Sequence, residues 1–235
     1  MSFSAVIFDF FGTLTPSTPA GIWDEHAARS AAPLGIPKQQ WRRTLDDSFP
    51  ERAMGTLGDL PQTIRALAQR CGVDPDDEAL TAATAARLAS QRELFVLRDD
   101  ALDTLERLRR DGFRIGVLSD CTIELAQTWP ALPLAHLVDT VVLSCQEGRR
   151  KPDPELFRQV ARELDTPTGE CLYVGDGGGD ELSGATAQGM TAVMLRAGDW
   201  ATNDTHARED GWPGPCFPTL SHVVSAARDP SLITA

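Results

Sequence analysis

Apolar residues along this chain fall into two patterns. Short continuous runs have the length and composition of strands covered on both faces: "AVIFDF" at 5–10, "FRIGVLSD" at 113–120, "DTVVLS" at 139–144, "CLYVGD" at 171–176 and "TAVML" at 191–195. Around the last four, apolar residues recur at three- and four-residue spacing. "DDALDTLERLRRDG" sets Leu102, Leu105 and Leu108 on one helical face, and "DPELFRQVARELD" does the same with Leu156, Phe157, Val160 and Leu164. Residues 122–128 predict a short helix, "DELSGATAQG" another, and "TLSHVVSAA" a closing helix after a polar, Pro/Gly-rich loop at 197–218. Strands alternating with helices imply right-handed crossovers and a largely parallel sheet.

The stretch after the first strand breaks that rhythm. "TPSTPAG" interrupts regular structure, and from Ile22 to Arg92 the pattern is helical throughout. Asp59 is a predicted N-cap, with Pro61 in the first turn, Ile64, Leu67, Ala68 and Cys71 on the apolar face, and Gly72 as the stop. The expected architecture is an α/β core of residues 1–15 and 97–235, with a helical unit, 16–96, inserted after the first strand.

Charge narrows the partners. A net charge of −12 and a pI near 4.7 argue against nucleic acid and against an anionic membrane surface. No apolar stretch reaches the ~20 residues of a membrane span, and no basic-then-apolar leader opens the chain. The five cysteines (71, 121, 145, 171, 216) form no CxxC pair and fit reduced thiols in a cytoplasmic protein. Only two lysines, Lys38 and Lys151, stand among twenty arginines, which singles out Lys151. Oligomeric state is not legible in the sequence.

In open parallel sheets, sites form beyond the carboxyl ends of the strands. Asp9, Ser119 with Asp120, Lys151 and Asp176 with Asp180 are all delivered to that edge. Carboxylates there suit Mg²⁺, a hard cation that prefers oxygen ligands. A serine hydroxyl at a strand-to-helix turn and a lysine suit an anionic substrate. Without cations the acids would repel one another. In-line attack by Asp9 on phosphorus would give an aspartyl-phosphate, a recognised form of covalent catalysis.

"VIFDFFGTLT", "IGVLSD", "RRKPDPELF" and "YVGDGGGDELSGATAQGM" resemble, in order, the four motifs of the haloacid dehalogenase superfamily. The resemblance implies a Rossmann-like parallel-sheet core with an inserted α-helical cap domain. It implies that Asp9 is the nucleophile and a metal ligand, and that Ser119 and Lys151 grip the transferred group. Asp176 and the backbone carbonyl of Phe11 would complete the Mg²⁺ site, with Asp180 metal-bound or paired to the lysine. Gly12, Thr13, Asp120, the Phe11 side chain and Arg42 would lie on the substrate side.

The chain departs from the pattern at Phe11, where the family's phosphatases carry an aspartate that serves as general acid and base. Losing that proton transfer costs ~10²–10⁴-fold in rate. Three escapes are open: a leaving group that needs no proton, an acid lent by the cap, or another reaction. For the second, "WDEH" offers His26 beside Asp24 and Glu25. For the third, the superfamily's 2-haloacid dehalogenases carry an aromatic residue here and use a cap arginine, for which "QWRRTL" offers Arg42 or Arg43. Those enzymes lack the acid that this chain keeps as Asp176, so the reading favours a small phosphorylated metabolite. Phosphonate cleavage would need Lys38, and a non-catalytic binding role would leave the retained acids unexplained. Trp23 and Trp41 either pack the cap helices or face the substrate.

Overall fold

The first apolar run lies at the centre of a six-stranded parallel sheet. The computed structural model describes residues 2–18, 21–198 and 209–233. Its strands are β1 (Ala5–Phe8), β2 (Arg114–Ser119), β3 (Thr140–Leu143), β4 (Cys171–Gly175), β5 (Thr191–Leu195) and β6 (Cys216–Phe217). Their order is β3-β2-β1-β4-β5-β6, with every neighbouring pair parallel. The chain thus winds outward from β1 in both directions. That reversal opens a crevice at the carboxyl ends of β1 and β4, the usual ligand position in such sheets.

Five helices follow β1 before the first crossover helix: α1 (Ile22–Ala31), α2 (Lys38–Asp47), α3 (Phe49–Ala53), α4 (Leu60–Arg70) and α5 (Asp77–Arg92). The core adds α6 (Ala101–Arg110), α7 (Ile123–Thr128), α8 (Ser144–Glu147), α9 (Pro154–Glu163), α10 (Glu181–Ala187) and α11 (Leu220–Arg228). Helices cover both faces of the sheet, which is why β1 shows no polar alternation. Val6 and Phe8 pack with Leu105 and Leu108 of α6 and Val223 of α11. Ala5 and Ile7 pack on the opposite face with Leu156 and Phe157 of α9 and Leu182 of α10.

Two expectations are corrected. The first strand ends at Phe8, not Phe10, because the chain leaves the sheet after Asp9 donates its N–H to Val174 O at 2.9 Å. Residues 10–14 then form a tight turn that is non-helical at Phe11 and Gly12. The expected loop at 197–218 contains β6, held by Met194 N–H to Pro215 O (3.0 Å) and Arg196 N–H to Phe217 O (2.8 Å). Two residues carry no readable period. Residues 199–208 of that loop lie outside the described residues.

The inserted helices have their own core, built around Trp41, Leu60, Ile64, Leu67 and Ala83. α4 opens with the expected Asp59 cap, which forms a reciprocal capping box with Gln62. Trp41 is fully buried and donates from Nε1 to Ser30 Oγ at 2.9 Å, so its role is packing. Where the insertion leaves and rejoins the core, Arg98 N–H bonds Leu14 O (2.9 Å). The Arg98 side chain donates to Thr13 O (2.9 Å) and Gly12 O (2.8 Å). On the opposite side of the seam, Ile123 of α7 packs against the helical unit, and Arg87 of α5 donates to Glu124 of α7 at 2.7 Å in a buried ion pair. Among the described residues, no helix is long and apolar enough to cross a membrane.

Candidate active site

Asp9 follows directly on β1, a strand buried along its whole length, so its backbone is fixed by the sheet while its carboxylate lines the cavity. Oδ1 accepts a hydrogen bond from Lys151 Nζ at 2.6 Å. The same ammonium donates to Glu181 Oε2, which also accepts from Tyr173 Oη at 2.8 Å, while Glu181 Oε1 accepts from Gly177 N–H at 2.9 Å. Asp176 stands just past β4, its Oδ1 accepting from Gly178 N–H at 3.1 Å. Asp9, Asp176 and Glu181 each bring one carboxylate oxygen within 4.8 Å of the others, and all three are buried.

The motif loop is built for this close approach. Gly12 has φ +79°, and a Cβ there would stand 2.3 Å from Asp176 Oδ2. A Cβ on Gly175 would stand 2.2 Å from Glu181 Oε1. Any side chain at either position would push an acid out of the cluster.

Burial pushes the Asp9 carboxyl well above the ordinary carboxylate range, with Lys151 opposing and Glu181 and Asp176 reinforcing that rise. For Lys151, burial acts to lower the pKa, but Asp9 and Glu181 outweigh it and hold the ammonium charged. Three carboxylates around one ammonium carry an excess of negative charge in a buried place. Hard oxygen donors with that excess fit a divalent cation such as Mg²⁺. Both Glu181 oxygens are already engaged by Lys151, Tyr173 and Gly177, so Glu181 orients the lysine, and Asp9 and Asp176 are the acids placed to hold an ion.

The cluster opens into a cavity of about 390 Å³ between core and cap, the size of a small-molecule pocket. Asp9, Asp176, Lys151, Asp120, Phe11 and Arg42, all candidates from the sequence, line it. The Asp120 carboxyl is raised by burial, against the pull of Lys151, and it accepts from Lys151 N–H at 2.9 Å and from Arg150 Nε at 3.2 Å. Phe11 packs edge-on against Phe10, with ring centroids 5.0 Å apart. Arg42 pairs with Asp46 and, at 3.4 Å, with Asp24.

Other expected residues stand elsewhere. Ser119 is fully buried at the end of β2, its hydroxyl without a hydrogen-bond partner among the described residues, and Thr13 Oγ1 is the same. Gly12 and Thr13 lie beneath the cavity, their carbonyls held by Arg98. Asp180 is exposed in a left-handed conformation (φ 54°) at the start of α10, outside the acidic cluster. His26 is buried in the helical unit and bonds Glu93 at 3.2 Å, away from the cavity lining. Lys38 is exposed in a separate cleft with Arg42 and Arg43. Trp23 lines the main cavity.

Sequence reading missed Glu181, Tyr173 and Arg52. Tyr173 had a signal, being the only tyrosine in the chain and set inside an otherwise apolar strand, whereas Glu181 stands out from its neighbour Asp180 by nothing local. Arg52 had none. It lines the cavity at 8% exposure, and burial, with Arg87 close by, pushes its guanidinium down to about 9.

An acid-bearing loop after the first strand, a buried lysine and an acid past the fourth strand meet at the switch point of a parallel sheet. The chain belongs to the haloacid dehalogenase-like hydrolases, whose family model matches residues 3–188. It is 29% identical over 208 residues to the glyceraldehyde 3-phosphate phosphatase of Methanopyrus kandleri, covering 88% of each protein. It is 32% identical over 208 residues to the ribulose-1,5-bisphosphate 5-phosphatase of Halopiger xanaduensis, covering 82% of this chain and 84% of the relative. Its fold is similar to that of a 2-haloacid dehalogenase from Pseudomonas syringae pv. Tomato DC3000, with a TM-score of 0.70 at 24% identity over 95% of this chain and 98% of the other.

Proposed function

We propose that this hydrolase is a Mg²⁺-dependent phosphatase acting on a small phosphorylated metabolite through Asp9. The observation that carries the reading is the buried meeting of Asp9, Asp176 and Glu181 around Lys151. Dehalogenation needs no cation, and a carboxylate at position 176 would then only repel Asp9. Two relatives named as phosphatases, each matched over most of its length, point the same way.

In this reading an oxygen of Asp9 attacks phosphorus in line with the ester oxygen. The new O–P bond forms as the ester O–P bond breaks, and the leaving oxygen takes a proton from solvent. Water then attacks phosphorus, inorganic phosphate departs, and the Asp9 carboxylate is restored. Lys151 holds the nucleophile and steadies the charge of the phosphoryl oxygens, and the Ser119 hydroxyl, buried outside the cavity lining and unbonded among the described residues, would have to turn into the pocket to meet one of them. Mg²⁺, held by Asp9, Asp176 and the Phe11 carbonyl, would supply neutralising charge to the phosphoryl group. Asp180 stays at the rim.

Phe11 stands in place of the family's second motif-one acid and offers no proton to the leaving group. Activated aryl and acyl phosphates are therefore expected to turn over faster than simple alkyl phosphates. Residues 16–96 serve as the cap over a core of 1–15 and 97–235, and a cytoplasmic setting suits the unpaired thiols. The deciding experiment is a screen of phosphate esters, acyl phosphates, phosphonates and haloacids with and without EDTA. Mg²⁺-dependent phosphate release that is lost in Asp9→Asn supports the reading. Halide release that ignores EDTA overturns it.

A further inference from the structure

The cations that line the cavity are matched to acids, with one exception. Arg42 pairs with Asp46 and Asp24, Arg87 with Glu124, Arg150 with Asp120, and Lys151 with Asp9 and Glu181. Arg52 has no carboxylate at ion-pair distance among the described residues. Its Nε donates to Ser48 Oγ at 3.1 Å and its Nη2 to Leu45 O at 2.6 Å, both neutral acceptors. These engage two of the five N–H donors that a guanidinium carries.

The nearest acid does not resolve the imbalance. Glu124 is close enough to act on both Arg52 and Arg87, but of these two it hydrogen-bonds Arg87, so two buried guanidiniums share one carboxylate. An arginine stays protonated at neutral pH, and a buried charge without a partner is costly. The position of Arg52 is also fixed. Phe49 carries Arg52 at 5.7 Å and Arg150 at 4.9 Å from its ring centroid, so one aromatic side chain ties the cap arginine to the residue preceding Lys151.

We propose that Arg52, with Arg87 behind it, receives a second anionic group of the substrate, a carboxylate or a second phosphate, so that the enzyme prefers doubly anionic phosphorylated metabolites to singly phosphorylated alcohols or sugars. The inference rests on the phosphatase reading and adds the chemistry of a second group lining the cavity. The substrate supplies the counter-charge that the protein lacks, so binding and neutralisation of the seam coincide. A charge-assisted contact of this kind is worth roughly 10–100-fold in affinity.

Two matched pairs test it: phosphoglycerate against glycerol phosphate, and ribulose bisphosphate against ribulose monophosphate. The wild type is expected to favour the doubly anionic member of at least one pair by roughly tenfold or more in kcat/KM. The pair that responds tells carboxylate from phosphate. Arg52→Gln should collapse that ratio through KM, and Arg52→Lys should restore part of it. Arg52→Gln should also melt no lower than wild type, since it removes an uncompensated buried charge, whereas a purely structural arginine would lose stability on removal. Equal kcat/KM within both pairs overturns the inference and leaves the phosphatase reading standing, as does a preference that survives Arg52→Gln. If none of the four is hydrolysed while an aryl or acyl phosphate is, this inference falls and the phosphatase reading stands; release of phosphate from no compound at all removes both.

Discussion

Gly12 and Asp176 are packed so closely that no side chain fits between them: a Cβ at residue 12 would lie 2.3 Å from Asp176 Oδ2. The loop that follows Asp9 and the acid after β4 are therefore set by one contact. Gly12→Ala should lower kcat by roughly 10²-fold, since an ångström of misplacement has that effect, and cost about 1–3 kcal/mol through its left-handed backbone. Steady-state kinetics beside a melting curve check it. Wild-type kcat in this variant would show that the contact is not needed.

Lys151 is the cation among three buried acids. Lys151→Met should abolish turnover and destabilise the fold by about 3–5 kcal/mol at neutral pH, the usual effect of breaking a buried ion pair. The sign with pH follows. Burial already raises the Asp9 carboxyl and the ammonium is what opposes that rise, so without it the folded state binds more protons than the unfolded chain and the variant loses stability as pH rises. Its melting temperature should fall behind wild type further at pH ~8 than at pH ~5.5. A gap that is constant with pH would contradict this.

If a divalent cation binds at Asp9 and Asp176, it binds the folded state alone and stabilises it. Saturating Mg²⁺ should raise the melting temperature on the order of 5 °C, and Asp176→Asn should lose the response. The readout needs no substrate. An Asp176→Asn protein with an undiminished Mg²⁺ shift would place the ion elsewhere.

His26 lies buried in the helical unit, and burial lowers its pKa despite the bond to Glu93. The unfolded chain therefore takes up a proton here before the folded one does. This contribution to stability is present above the unfolded value of ~6.5 and is lost as pH falls below it. His26→Gln should show a shallower drop in melting temperature between pH ~7 and pH ~5 than wild type. Identical slopes would remove His26 as a source of acid sensitivity.

The alternation of strands and helices was readable because the sheet is covered on both faces, which leaves uninterrupted apolar runs such as residues 5–8. The rim position of Asp9, Lys151 and Asp176 followed from where those runs end. The choice between Asp180 and Glu181 was not readable, since it depends on a left-handed residue at 180 that turns one carboxylate out and lets the next turn in. β6 pairs through two residues and leaves no pattern. Whether a tryptophan faces the helical core, as Trp41 does, or the cavity, as Trp23 does, depends on how helices pack. The lone charge of Arg52 is a property of its surroundings, which no local stretch of sequence contains.

The bonds from Arg98 to Leu14, Thr13 and Gly12 bring the exit and the return of the inserted segment side by side. Everything between them is a detour with touching ends, so its length and content are free to change without moving a single strand of the sheet. The inserted piece is in this sense a cartridge, and a different one spliced at the same two points would meet the same Asp9.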